Sequence, residues 1–161
     1  MRRLLLVGSG AHARVVLDLL RAAGVPAPVA AVDAVGPPRA KDVEGVPLRG
    51  GPDRLETLLA EADGGGVLLG IGDNAVRAAL GRRVLAAGGR LETVVHPRAW
   101  ISPRAVLGEG TVACPGAVVM TGARVGAGCI LNTGCTVDHD CVLGDYVHIA
   151  PGAHLAGRVE V

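Results

Sequence analysis

From Ile101 onward, every sixth residue of this chain is aliphatic: Ile101, Leu107, Ala113, Val119, Val125, Leu131, Val137, Leu143, Ile149, Leu155 and Val161. An α-helix repeats its face every 3.6 residues and a strand every 2, so neither keeps one class of side chain at a spacing of six over this length. A parallel β-helix built from hexapeptides does. Other positions of the hexad are restricted too. Two residues before the anchors stand small or β-branched residues, among them Ala117, Ala123, Cys129, Cys135 and Cys141. One place earlier come Gly110, Gly116, Gly122, Gly128, Gly134 and Gly152, as suits a corner that needs positive φ or has no room for a Cβ. Three flat sides of one hexad each put residues 18 apart in register, at about the 4.8 Å spacing of paired strands. A generic Gly/Ala-rich segment would not keep three positions in phase.

Stacked coils need caps at their open ends. The pattern runs up to Val161 with no closing amphipathic helix, so the β-helix is expected to be incomplete at its C-terminus. Sixteen basic residues against fifteen acidic ones give a net charge of +1, which provides no strong field for nucleic acid or a membrane surface. One Trp, one Tyr and no Phe argue against a base-stacking platform. The apolar run Leu4 to Val7 after Arg2-Arg3 is too short for a secretory signal, and no stretch approaches the ~20 apolar residues of a membrane span. The cytoplasm is the expected compartment. Cys129, Cys135 and Cys141 fall on successive corners of one coil, farther apart than the ~7 Å a disulfide spans. They read as buried thiols. No Cys-x-x-Cys pair is present, so a zinc site of that kind is not expected.

The first ninety-five residues read as α/β. A short strand from Arg3 to Val7 leads into Gly8-Ser9-Gly10-Ala11-His12-Ala13, and a helix with Val15, Val16, Leu19 and Leu20 on one face runs to Gly24. Val29 to Val32 reads as a strand ending at Asp33, and Leu55 to Ala62 as a helix. A strand from Val67 to Ile71 precedes Gly72-Asp73-Asn74, followed by a helix from Ala75 to Ala87 and a last strand from Leu91 to Val95. Gly8-x-Gly10-x-x-Ala13 after a strand, with an acidic residue about twenty positions on, fits a dinucleotide fingerprint. Glycines there let a phosphate approach the backbone, and a helix N-terminus favours the anion. A tight strand–helix turn is the plainer alternative, and His12 either meets a ligand or faces solvent.

Two histidines invite chemistry. His139 lies between Asp138 and Asp140, where a carboxylate can orient one ring nitrogen and support the imidazolium, as a general base requires. In the hexad frame it stacks between Thr121 and Gly157. His148 follows nine residues later, half a coil away, so the two point from different sides and can meet only across a subunit interface. Two surface histidines on a β-helix are the alternative. A zinc site from His139, His148 and His154 has the count but no recognisable ligand spacing, and no metal is expected.

Gly8-Ser9-Gly10-Ala11-His12-Ala13, Ile71-Gly72-Asp73-Asn74 with Arg77, and the segment from Asn132 to His148 together resemble one family. These are the hexapeptide-repeat sugar acetyltransferases of the sialic-acid O-acetyltransferase and UDP-4-amino-sugar N-acetyltransferase type. The resemblance covers Leu5 to Val161. It implies a Rossmann-like domain over 1–95 that binds the sugar nucleotide, and a left-handed parallel β-helix over 96–161 that binds acetyl-CoA. It also implies a homotrimer with active sites between subunits, acting on a UDP-amino sugar or a sialic-acid-like sugar. By motif match, His139 is the catalytic base and Asp140 its orienting acid. Asn132 and His148 line the acetyl-CoA side, and Gly157 offers a backbone N–H to the oxyanion. Gly8, Gly10, His12, Asp33, Asp73 and Asn74 lie near the nucleotide sugar. Two positions depart from the pattern: several members have Glu where Asp140 stands, and often a second acid where Ala34 follows Asp33. A trimeric nucleotide-sugar-binding scaffold without catalysis is the competing expectation.

Overall fold

The computed structural model describes residues 3–63 and 65–161. Contacts divide the chain into two compact units, Met1–Glu92 and Thr93–Val161.

In the first unit the strands β1 (Leu5–Val7), β2 (Ala30–Val32), β5 (Gly66–Leu69) and β6 (Arg90–Leu91) form a parallel sheet in the order β2-β1-β5-β6. A small antiparallel hairpin of β3 (Asp42–Val43) and β4 (Val46–Pro47) lies in the connection after β2. The central strands are buried along their whole length, with Leu6, Val7, Val67 and Leu68 essentially inaccessible. Both faces of such a sheet must be covered, which is why these strands read as continuous apolar runs. Helices α1 (Ala11–Ala22), α2 (Leu55–Glu61) and α3 (Asn74–Ala86) supply the cover. Helix α1 buries Ala13, Val16, Leu17 and Leu20, the i, i+3, i+4, i+7 stripe of an amphipathic helix. Val15, placed on that face from the sequence, is 38% exposed instead, because one step from Val16 rotates a side chain by about 100°.

The second unit contains β7 (Val94–Val95), β8 (Trp100–Ile101), β9 (Val106–Leu107), β10 (Val112–Ala113), β11 (Val118–Val119), β12 (Arg124–Val125), β13 (Ile130–Leu131), β14 (Thr136–Val137), β15 (Val142–Leu143), β16 (His148–Ile149) and β17 (His154–Leu155). Three parallel sheets result, β16-β13-β10-β7, β17-β14-β11-β8 and β15-β12-β9. Val112 faces Ile130, Val118 faces Thr136 and Arg124 faces Val142, so every pairing joins residues 18 apart. This is the left-handed parallel β-helix expected from the hexads. The anchors from Ala113 to Leu143 and the small corner residues Ala117, Ala123, Cys129, Cys135 and Cys141 fill its interior. All four cysteines are buried free thiols. The single strand read from Leu91 to Val95 is two: Arg90–Leu91 pairs with β5, whereas Val94–Val95 pairs with β10 and opens the first coil.

The corners share one conformation. At every sixth residue from Gly110 to Arg158, φ lies between 59° and 75°. Six of these residues are glycine; Asp140, Tyr146 and Arg158 adopt the same left-handed backbone without it, at the steric cost an L-side chain meets there.

Candidate active site

In the first unit, the turn after β1 is held close to the end of β5. A Cβ on Gly8, where φ is 119°, would collide with the Gly70 carbonyl oxygen, and one on Gly70 would lie 2.7 Å from Cα of Ala13. Gly10 is different. It is the N-cap of α1, has no side-chain capping bond, and a Cβ there would meet nothing within 4 Å. Packing therefore does not demand glycine at 10; its bare Cα leaves the N-terminus of α1 open to an approaching group. His12 lies in the first turn of α1, half-buried.

Asp33 stands just past β2. Its Oδ2 accepts from the Ser9 hydroxyl at 2.5 Å and its Oδ1 from the Val35 backbone N–H at 3.0 Å. Burial alone would raise its pKa, but the Ser9 hydroxyl and the backbone N–H groups of Val35, Ala34 and Gly36 outweigh it and hold the carboxyl below its ordinary value. Ser9, Asp33 and the segment from Val35 to Arg39 line a cavity of about 720 Å³. Ser9 and Arg39 are not among the site residues the resemblance implies; the sequence signal for Ser9 is its place between the two turn glycines. Asp73 caps α3, its carboxylate accepting from the Val76 N–H at 2.9 Å. Asn74 Oδ1 accepts from Arg77, whose buried guanidinium also donates to the carbonyls of Ile71 and Gly72. Asp73 and Asn74 thus shape the loop after β5.

In the second unit, His139 and Asp140 occupy the corner after β14. The two acids flanking the histidine are not equivalent. Asp138 accepts from the backbone N–H of His139 at 2.8 Å, whereas Asp140 Oδ2 lies 3.0 Å from the ring Nδ1. An ionised carboxylate can only accept, so Nδ1 carries the proton and Nε2 presents its lone pair. Both side chains are partly exposed, 47% for His139 and 61% for Asp140. Asn132 and His148 meet on the neighbouring side. The Thr133 N–H donates to Asn132 Oδ1 at 2.8 Å, which sets the amide orientation and turns Nδ2 toward His148 Nε2 at 2.9 Å. His148 Nε2 therefore accepts, and its proton sits on Nδ1. His139 and His148 belong to different sides of the coil, as their spacing predicts. Gly157 lies one coil beyond His139, where a Cβ would be 2.5 Å from the ring Nε2. His154 stacks on Thr136, Nδ1 to Oγ1 2.9 Å. No group of three or more His, Cys, Asp or Glu placed to hold a metal ion occurs among the described residues.

Residues 3–84 match the PglD N-terminal domain family. No curated protein matches the chain. Among solved structures, the acetyltransferase domain of PglB from Neisseria gonorrhoeae FA1090 is 36% identical, with a TM-score of 0.89 covering 100% of this chain and 77% of that one; it is also solved in complex with acetyl coenzyme A. A histidine-to-asparagine mutant of perosamine N-acetyltransferase from Caulobacter crescentus, in complex with CoA and GDP-perosamine, is 39% identical with a TM-score of 0.90 over 98% of this chain and 73% of that one. WeeI from Acinetobacter baumannii AYE is 25% identical with a TM-score of 0.84, over 98% and 74%. With an open helix N-terminus in one unit and a carboxylate-oriented histidine in the other, the chain belongs to the hexapeptide-repeat sugar acetyltransferases that carry the PglD N-terminal domain.

Proposed function

We propose that this protein moves the acetyl group of acetyl-CoA onto the amine of a nucleotide-linked amino sugar, with His139 as general base. The observation that carries the reading is the Asp140–His139 contact, which leaves Nε2 as the proton acceptor. As the sugar nitrogen attacks the thioester carbonyl, Nε2 takes its proton. The oxyanion of the tetrahedral intermediate is met by the Gly157 backbone N–H. Collapse breaks the C–S bond, and the proton held by His139 passes to the departing thiolate. Asn132 and His148 line the coenzyme side, His148 as a neutral ring. No acyl-enzyme is needed: Cys141 is fully buried and its Sγ donates to the Ala156 carbonyl at 3.1 Å.

The sugar nucleotide is assigned to the first unit, with its diphosphate at the open N-terminus of α1 beside Gly8, Gly10 and His12. Asp33 faces the adjoining cavity, and Asp73 and Asn74 hold the neighbouring loop. The complexes of the Caulobacter and Neisseria relatives with GDP-perosamine and with acetyl coenzyme A support a nucleotide amino sugar and acetyl-CoA as the two substrates. We assign a homotrimer with shared active sites, since one chain sets His139 and His148 on different sides and leaves Trp100, Val106 and Val142 exposed on the prism. Among the described residues no helix is long and apolar enough to cross a membrane; the cytoplasm, with its acetyl-CoA and sugar nucleotides, is the assigned compartment.

The test is release of free CoA thiol with a panel of UDP- and GDP-linked amino sugars and sialic acid. One or more should support turnover, and His139→Ala should lower kcat by about 10²–10⁴, the usual contribution of a general base. Turnover near wild type in that variant would remove His139 from the mechanism. Clear sugar-nucleotide binding with no binding of acetyl-CoA by calorimetry would favour a non-catalytic scaffold.

A further inference from the structure

We propose that Gly157 is a positioning residue: its missing Cβ is the seat on which the His139 imidazole rests, and the seat fixes the direction of Nε2. The repeat supplies its own comparison. At this place in the hexad, every residue from Pro103 to Pro151 carries a side chain, and Gly157 breaks the series. The backbone is not the reason. Gly157 is outside the left-handed region that the corner glycines occupy, so its conformation suits any residue. Nor is a neighbouring coil's backbone in the way, as it is at Gly126, where a Cβ would be 2.6 Å from the Gly144 carbonyl. At Gly157 the obstruction is one ring: a Cβ would lie 2.5 Å from Nε2, 2.6 Å from Cε1 and 3.0 Å from Cδ2 of His139.

The stacking makes the seat rigid. The Arg158 N–H donates to the His139 carbonyl at 2.9 Å, and the Asp140 N–H to the Thr121 carbonyl at 3.1 Å. These bonds tie the backbone of His139 to the coils on both sides. The ring is then held at two edges, Nδ1 by the Asp140 carboxylate and the Nε2 edge by the bare Cα of Gly157. Restoring ordinary contact, which begins at 3.4 Å, against an added methyl moves Nε2 by about 1 Å. A displacement of that size costs on the order of 100-fold in rate.

The inference rests on His139 being the base, and Gly157→Ala separates it from that reading. This variant keeps the Gly157 N–H, so a residue serving only as an oxyanion donor would be indifferent to it. The seat predicts that kcat falls on the order of 100-fold while KM for acetyl-CoA and for the sugar stays within about threefold. It also predicts that the His139 ring nitrogen resonances shift in ¹⁵N NMR spectra. Thermal melts of Gly157→Ala, His139→Ala and the double variant complete the cycle. The methyl should lower Tm when the imidazole is present and have no such effect in the His139→Ala background. An equal loss of Tm in both backgrounds, a double variant that fails to fold, or wild-type kcat with unmoved His139 resonances would each overturn the seat. Full turnover in His139→Ala would instead overturn the base assignment, leaving the thermal cycle as the measure of the seat.

Discussion

Replacing Asp140 with glycine separates what this residue does for the backbone from what it does for His139. Asp140 holds φ at 59° at a corner where most coils place glycine. A left-handed residue costs about 1–2 kcal/mol, with Asp at the lower end because its short polar side chain bonds locally. Glycine removes that cost but has about 0.5–1 kcal/mol more chain freedom to lose on folding. The two effects nearly cancel. The hydrogen bond to His139 is exposed enough, with Asp140 at 61% and His139 at 47%, that its loss costs roughly 0–1 kcal/mol. Folding free energy therefore changes by no more than about 1 kcal/mol, which for a chain of this size moves Tm by less than about 4 °C. Turnover responds differently. Without the carboxylate, the proton that Asp140 holds on Nδ1 is free to sit on Nε2, where it blocks the base. A fall in kcat on the order of 100-fold is expected, at the low end of what general-base catalysis contributes. Thiol release and differential scanning fluorimetry on the same preparation give both quantities. Asp140→Asn is the companion, since Asn tolerates the left-handed backbone but its amide can donate where the carboxylate only accepts. Wild-type turnover in Asp140→Gly would show that the acid fills a corner and nothing more. A loss of Tm beyond about 10 °C would show that its carboxylate is structural.

Burial pushes the Cys114 and Cys135 thiols up to about 11, and Cys129 and Cys141 are equally inaccessible. All four should resist Ellman's reagent at pH 8 in the native protein and react on denaturation; rapid native labelling would contradict the closed interior. For Asp33 the folded pKa is depressed, so its contribution to stability is present above the ordinary carboxylate range and is lost as pH falls through the lower folded value. Urea unfolding from pH 7 to 2 should show wild type losing stability more steeply below about pH 4 than Asp33→Asn. Identical slopes would mean that the Ser9 contact does not form in solution.

The coil was readable because six residues map one-to-one onto one side of a three-sided turn, so anchors, corners and the interval between stacked residues all follow from phase. The α/β unit was less so. A single residue class does not mark helix phase sharply enough to separate Val15 from Leu17, and apolar residues from Leu91 to Val95 do not reveal that the chain leaves one sheet and enters another within them. At the candidate site, proximity in sequence identified Asp138 and Asp140 alike. Only the corner geometry turns Asp140 to the ring and leaves Asp138 on the backbone. Asp33 could be read as an acceptor for a ligand, but not as one already accepting from Ser9 and Val35, because that loop's path depends on contacts the sequence does not encode locally. The resemblance marks Gly157 for its N–H; its more distinctive property, the absent Cβ beside an imidazole, depends on the Nε2 edge of a ring one coil away.

The 18-residue pairing also governs which changes in chain length this protein can absorb. An insertion of six residues between Ile101 and His139 would keep every aliphatic anchor inside and every corner in phase, so the core would form. It would also turn His139 onto the next side of the prism, away from the face on which the proposed base stands. Insertions of a full coil preserve both core and facing, and only move the histidine along the axis. Length variation that is invisible to the hydrophobic interior is thus tolerated by the active face in multiples of 18 and in no smaller step, a stricter rule than the six-residue repeat itself.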